Sequence, residues 1–180
     1  MSEAGTADAG AVARRGEALT AAAAGCLVAA ALAERGLGAE GLVTAFFLGV
    51  LAVLAAIDLE RRVVPDRIVL PAAAIVLAGH LAFAPERWLE WLLAPLVAFA
   101  VLFIPLLVRP SGIGFGDVKL MLLLGAGLGF AVLDALLIGF ALVVPVALFL
   151  LVRDGPKARK RSVPLAPFLA GGAILAIFLG

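Results

Sequence analysis

From about residue 18 onward the chain is a succession of apolar runs, and no break between them is long enough to fold as a soluble domain. The runs are Ala18–Ala33, Leu42–Ile57, Ile68–Ala84, Leu89–Val108, Val118–Leu133, Ala135–Val152 and Val163–Gly180. A bilayer core takes about 20 predominantly apolar residues per helix, with a lower limit near 17, and these segments meet or approach that length. With 64% hydrophobic and 15% charged residues, a chain of this size cannot hide its apolar surface inside itself. The expected fold is therefore an all-α polytopic membrane bundle of about seven transmembrane helices. Residues 1–16 read as a polar, disordered cytoplasmic tail, and 17–180 as a single membrane domain. A soluble enzyme, a nucleic-acid binder and a disulfide-stapled secreted domain are excluded. The net charge of +1 calls for no polyanionic partner. The single cysteine, Cys26, forms neither an internal disulfide nor, alone, a metal site.

Charge fixes the expected orientation, because cytoplasmic loops collect Lys and Arg. With the N-terminus inside and seven alternating helices, twelve of the 14 basic residues fall inside and only Arg35 and Arg87 outside. That asymmetry depends on a helix break at Asp134, the only charge between Lys119 and Arg153. Trp88 and Trp91 are then expected at the outer interface. The alternative for the first run is a cleaved signal peptide, with Arg14 and Arg15 ahead of it and Ala-Leu-Ala before Glu34. The cluster from Arg153 to Arg161 reads as an anchor on anionic lipid.

Ionisable groups at membrane depth are costly and mark function by default. Asp58 directly ends the second run, in Ala-Ala-Ile-Asp-Leu-Glu, and Asp117 directly precedes the fifth, in Gly-Phe-Gly-Asp-Val-Lys-Leu. The topology puts both at the cytoplasmic ends of their helices. Two carboxyl groups at one depth on different helices suit an aspartyl hydrolase. Like charges a few ångströms apart do not both ionise comfortably, so the pair shares a proton. One member then takes a proton from an attacking water while the other hydrogen-bonds the peptide oxygen. Gly112, Gly114 and Gly116 read as a tight turn, with positive φ and close backbone approach, that presents Asp117. The mechanism needs no cofactor and no metal.

The Gly114-Phe115-Gly116-Asp117 stretch resembles the GxGD signature of the type IV prepilin peptidases, aspartyl proteases of the cytoplasmic membrane. Ile57-Asp58, followed by a short charged stretch and Pro65-Asp66, is similar to the family's second element. Pro164-Leu165-Ala166-Pro167-Phe168 is similar to its Pro-x-x-Pro-Phe/Tyr entry to the last helix, and Gly125 and Gly129 follow GxGD at the usual spacing. The resemblance spans roughly residues 42–175. It implies cleavage of the short basic leader of pilin-like precursors on the cytoplasmic side, just after a glycine, with Asp58 and Asp117 as the catalytic pair. Bifunctional members carry paired Cys-x-x-Cys motifs and also N-methylate the new terminus. With one cysteine, this chain resembles the short peptidase-only members found with tight-adherence (Flp-type) pili, and no methyltransferase activity is expected. The implied partners are a pilin-like precursor and membrane lipid, without nucleic acid; the oligomeric state is left open.

Other residues carry plainer readings. Asp66, which competes with Asp58, stands where an N-cap for the next helix belongs. Lys119 either tunes Asp117 electrostatically or is an ordinary inside-loop lysine, and Glu60 reads as solvated. His80 is expected far from the site, as a packing or interfacial histidine. Gly125 and Gly129 fit close helix packing. The rival functions are a proton-coupled transporter or channel subunit using the two aspartates as relay sites, and a non-catalytic membrane scaffold in a secretion assembly.

Overall fold

The computed structural model describes residues 21–33, 35–108, 114–154 and 164–179. The expected tail 1–16, Gly112 and the basic residues 157–161 lie outside the described residues. Seven α-helices and no strand occur among the described ones: α1 Ala21–Ala33, α2 Ala39–Arg61, α3 Asp66–Phe83, α4 Trp88–Val108, α5 Phe115–Leu128, α6 Val132–Asp154 and α7 Ala166–Leu179. Stretches 39–61, 66–83, 85–108 and 115–149 are long and apolar enough to cross a bilayer, while α1 and α7 are shorter apolar helices. Each expected apolar run corresponds to one helix. This is a multi-pass, all-helical membrane bundle.

α5 is the most enclosed element, flanked by α3 and α4; α2 packs on α3 and α7, and α6 lies along α7. Its residues Val118, Leu120, Met121, Leu123 and Leu124 are buried together with Phe47, Leu48, Leu51 and Leu54 of α2. Small residues set the close seams. A Cβ on Gly125 would stand 2.5 Å from the Pro95 Cα and 2.8 Å from the Ala94 carbonyl oxygen, so α4 and α5 meet backbone to backbone. Outward faces are strongly apolar, as at Leu137, Val144, Leu148 and Phe149 of α6, which is ordinary surface in lipid and untenable in water.

The fifth and sixth helices separate earlier than the charge pattern indicates. The break is a 3-10 turn at Gly129–Ala131, and Asp134 lies in the first turn of α6. Gly129 adopts φ +60°, a conformation that L side chains rarely reach, and so terminates α5. An acidic residue suits a helix's first turn electrostatically, so Asp134 follows the break instead of making it. The turn is also held from outside, since the Phe130 amide donates to Glu90 Oε1 at 3.2 Å. Arg87 clasps the same carboxylate with two bonds of 2.7 and 2.8 Å.

Trp91 differs from the interfacial reading. It is buried, its indole Nε1 donates to the Ala84 carbonyl at 3.2 Å, and its ring stacks on His80 at 4.0 Å between centroids. Only Trp88 is exposed. His80 is a buried packing residue at the α3–α4 end, opposite the aspartates, with no described partner for Nε2.

Candidate active site

Asp58 is presented by the buried stripe of α2. Phe47, Leu51, Leu54 and Asp58 recur at helical spacing, and Asp58 is 5% exposed while Leu59 and Glu60 are open. The helix closes immediately afterwards: Arg62 takes the left-handed conformation (φ 54°) and its amide donates to the Asp58 carbonyl at 2.8 Å. The Asp58 carboxylate is met from α7, where the Ala166 amide donates to Oδ2 at 3.0 Å. Sequence reasoning did not identify this contact. Its only signal was the Pro164-x-x-Pro167 spacing, read as a resemblance with no task attached.

Asp117 enters from α5. It is the third residue of the helix, counted from the N-cap Gly114, and its own amide bonds the Gly114 carbonyl at 3.1 Å. The glycines of the GxGD element are therefore not a positive-φ turn. Gly114 is extended (φ −73°, ψ 136°), and among the described residues only Gly36 and Gly129 are glycines with positive φ. What the two positions need is room. A Cβ on Gly114 would come within 3.0 Å of Asp117 Oδ2, and one on Gly116 within 3.0 Å of the Val64 Cβ. Val64 lies in the short link between α2 and α3, so Gly116 lets α5 settle against the segment that follows Asp58.

The two carboxyl groups are brought to the same end of the bundle, Asp58 in the last turn of α2 and Asp117 in the first turn of α5, whose Gly116 lies against Val64 just beyond α2. Asp66 and Lys119 are there as well, paired with each other. The Lys119 ammonium donates to Asp66 Oδ2 and sits 4.6 Å from the Phe115 ring centroid. Asp66 is the first helical residue of α3, preceded by Pro65 at the N-cap, with no side-chain capping bond. The N-cap reading of Asp66 is thus replaced by an ion pair across to α5: proline fills the boundary position and the carboxylate turns to the lysine. Among the described residues no three His, Cys, Asp or Glu side chains come together as a metal-ligating cluster.

The arrangement sets two carboxyl groups from different helices at one end of the bundle, that of Asp58 also bonded to a backbone amide at the start of α7. The model of the type IV leader peptidase family matches residues 45–155. A prepilin leader peptidase/N-methyltransferase of Bacillus subtilis is 29% identical over 155 residues, covering 86% of this chain and 62% of that protein. Relatives of the same name are 30% identical in Burkholderia pseudomallei, covering 88% of this chain and 53% of theirs, and 28% identical in Aeromonas salmonicida, covering 73% and 47%. The chain thus spans between about half and three-fifths of these curated relatives' length. No solved structure matches it significantly.

Proposed function

The chain belongs to the type IV leader peptidase family, and from that premise we propose that it is an aspartyl endopeptidase that removes the leader of type IV pilin-like precursors at the cytoplasmic face. The observation that supports this reading is that Asp58, at the end of α2, and Asp117, at the start of α5, lie at the same end of the bundle on helices far apart in sequence. Asp58 and Asp117 share one proton and activate a water; the water attacks the peptide carbon, and the shared proton supports the carbonyl oxygen as it gains negative charge. Gly114 and Gly116 give the pair its space, while Asp66 and Lys119 brace the ends of α3 and α5 beside it. The N-terminus lies inside, which puts the aspartate end at the cytoplasmic membrane's inner surface. The substrate class is the Flp-type precursor, with a short basic leader ending in glycine. The 180 residues carry one cysteine and hence no Cys-x-x-Cys pair, and we assign them the peptidase step without N-methylation.

The test is co-expression with a pilin precursor of that class. Asp58→Asn and Asp117→Asn are each expected to abolish leader removal, seen as a mobility shift of the precursor, while the variants still insert at normal level. Processing at the ordinary rate by either variant removes that residue from the dyad.

A further inference from the structure

The first turn of an α-helix leaves its leading amides without intrahelical partners, so each such amide in α7 needs a destination. Ala166 opens the helix. Pro167 has no N–H to place. Phe168 and Leu169 both donate back to the Leu165 carbonyl at 3.1 Å. The Ala166 amide is therefore the one first-turn donor that leaves the helix, and it goes to Asp58 Oδ2 at 3.0 Å in a buried setting. Ala166 itself is 1% exposed, so no solvent competes for the bond. The Pro-x-x-Pro spacing thus has a physical consequence: Pro167 removes the adjacent amide and leaves a single donor aimed out of the helix.

Asp58 has need of such a partner. It stands in the last turn of α2, where the carbonyl end of the helix dipole disfavours a carboxylate. The N-terminus of α7 brings the opposite pole and a directed N–H to the same side chain. We infer that the Ala166 amide is a positioning group for the proposed peptidase reaction, fixing Asp58 Oδ2 so that Oδ1 is the oxygen that exchanges a proton with water. The inference rests on the aspartyl peptidase reading above. In the step it serves, the water oxygen bonds to the peptide carbon and the water's proton passes to the aspartate pair. The pair then protonates the departing nitrogen as the C–N bond breaks, leaving a carboxyl end, an amine end and the pair with its one proton restored.

A backbone donor is tested by an amide-to-ester exchange. Ala166→lactic acid, introduced by nonsense suppression in the full chain and assayed in membranes on a pilin precursor with a glycine-ended basic leader, removes the N–H and keeps the shape. A charge-assisted bond of this kind predicts a fall in kcat of about 10- to 100-fold with KM within about twofold. Ala166→Gly retains the amide and is expected to keep kcat within about threefold. The ester also weakens the Leu165 carbonyl as an acceptor, so Phe168→phenyllactic acid serves as the control for a loosened helix start, with near-normal kcat expected. An unchanged kcat for the Ala166 ester, or an equal loss for the Phe168 ester, overturns the inference. Should the Ala166 ester fail to accumulate, a second measurement decides. The 15N–1H resonance of Ala166 is expected to move in Asp58→Asn and stay in Asp66→Asn, and an unmoved resonance in Asp58→Asn overturns the inference. Activity surviving Asp58→Asn and Asp117→Asn would sink the peptidase reading itself; a silent ester beside inactive aspartate variants sinks only the role of Ala166.

Discussion

Gly125→Ala puts one methyl group into the α4–α5 seam, and the geometry there leaves nowhere for it to go. The added carbon would lie 2.5 Å from the Pro95 Cα, 2.7 Å from the Pro95 nitrogen and 2.8 Å from the Ala94 carbonyl oxygen. Carbon atoms in contact rest roughly 3.5–4.0 Å apart, so α4 and α5 must separate locally by about 1 Å. All the obstructing atoms are backbone, and no rotamer change relieves them. Opening a packed contact by 0.5–1 Å forfeits about a quarter to a half of its attraction. Spread over the roughly 40–60 atomic contacts of a leucine-sized buried side chain, at about 0.1–0.2 kcal/mol each, the loss comes to about 1–6 kcal/mol. That range spans what an overpacked core costs. Gly49→Ala is the matched control, since its Cβ would meet only the Val28 Cγ2 at 3.4 Å, an ordinary contact. Thermal unfolding of both variants in detergent, read by loss of the monodisperse peak, is the assay. Gly125→Ala is expected to unfold well below the parent and Gly49→Ala near it. Equal midpoints for Gly125→Ala and the parent would refute the backbone-to-backbone packing of α4 on α5, and with it the account of how α5 is held so that Asp117 reaches the site.

Two further outcomes concern the aspartate end. Gly114→Ala, whose Cβ would lie 3.0 Å from Asp117 Oδ2, is expected to lower leader cleavage at least tenfold by turning the carboxylate aside, with protein level and unfolding midpoint close to the parent; cleavage at the parental rate refutes the crowding. Asp66→Asn removes an ion pair whose acidic side chain is 54% exposed. It is expected to cost no more than about 1 kcal/mol of stability and to leave cleavage in place, whereas a normally accumulating but inactive variant would move the dyad to Asp66.

The two aspartates proposed as a dyad are legible as candidates because their placement is local. Asp58 continues the 47-51-54 stripe of α2, so the helical period alone turns it inward. Asp117 stands beside glycines whose absent side chains turn out to be the space it occupies. Seven helices followed from apolar run length and short breaks. What was misread depended on conformation or on distant partners. The sequence points to Asp134 for the α5–α6 break because charge is visible in a sequence and the +60° φ of Gly129 is not. Asp66 has the residue type and place of an N-cap, but its partner is a lysine 53 positions away. Trp91 resembles an interfacial indole until the Ala84 carbonyl and the His80 ring enclose it. The Ala166 contact uses a backbone amide, a group every residue but proline carries, so side-chain chemistry could not single it out.

The placement of charge at the aspartate end follows from what a shared proton requires. A lysine ammonium bound to Asp58 or Asp117 would favour ionisation of both and oppose the sharing. Lys119 is only two residues from Asp117, yet its ammonium is engaged by Asp66 and lies over Phe115. Among the described residues neither Asp58 nor Asp117 takes part in an ion pair; Asp58 instead accepts from the neutral backbone amide of Ala166. Backbone donors steady a carboxylate without adding a full positive charge to the site. The lysine two residues from Asp117 is thus engaged outside the pair, by Asp66 and by the Phe115 ring together.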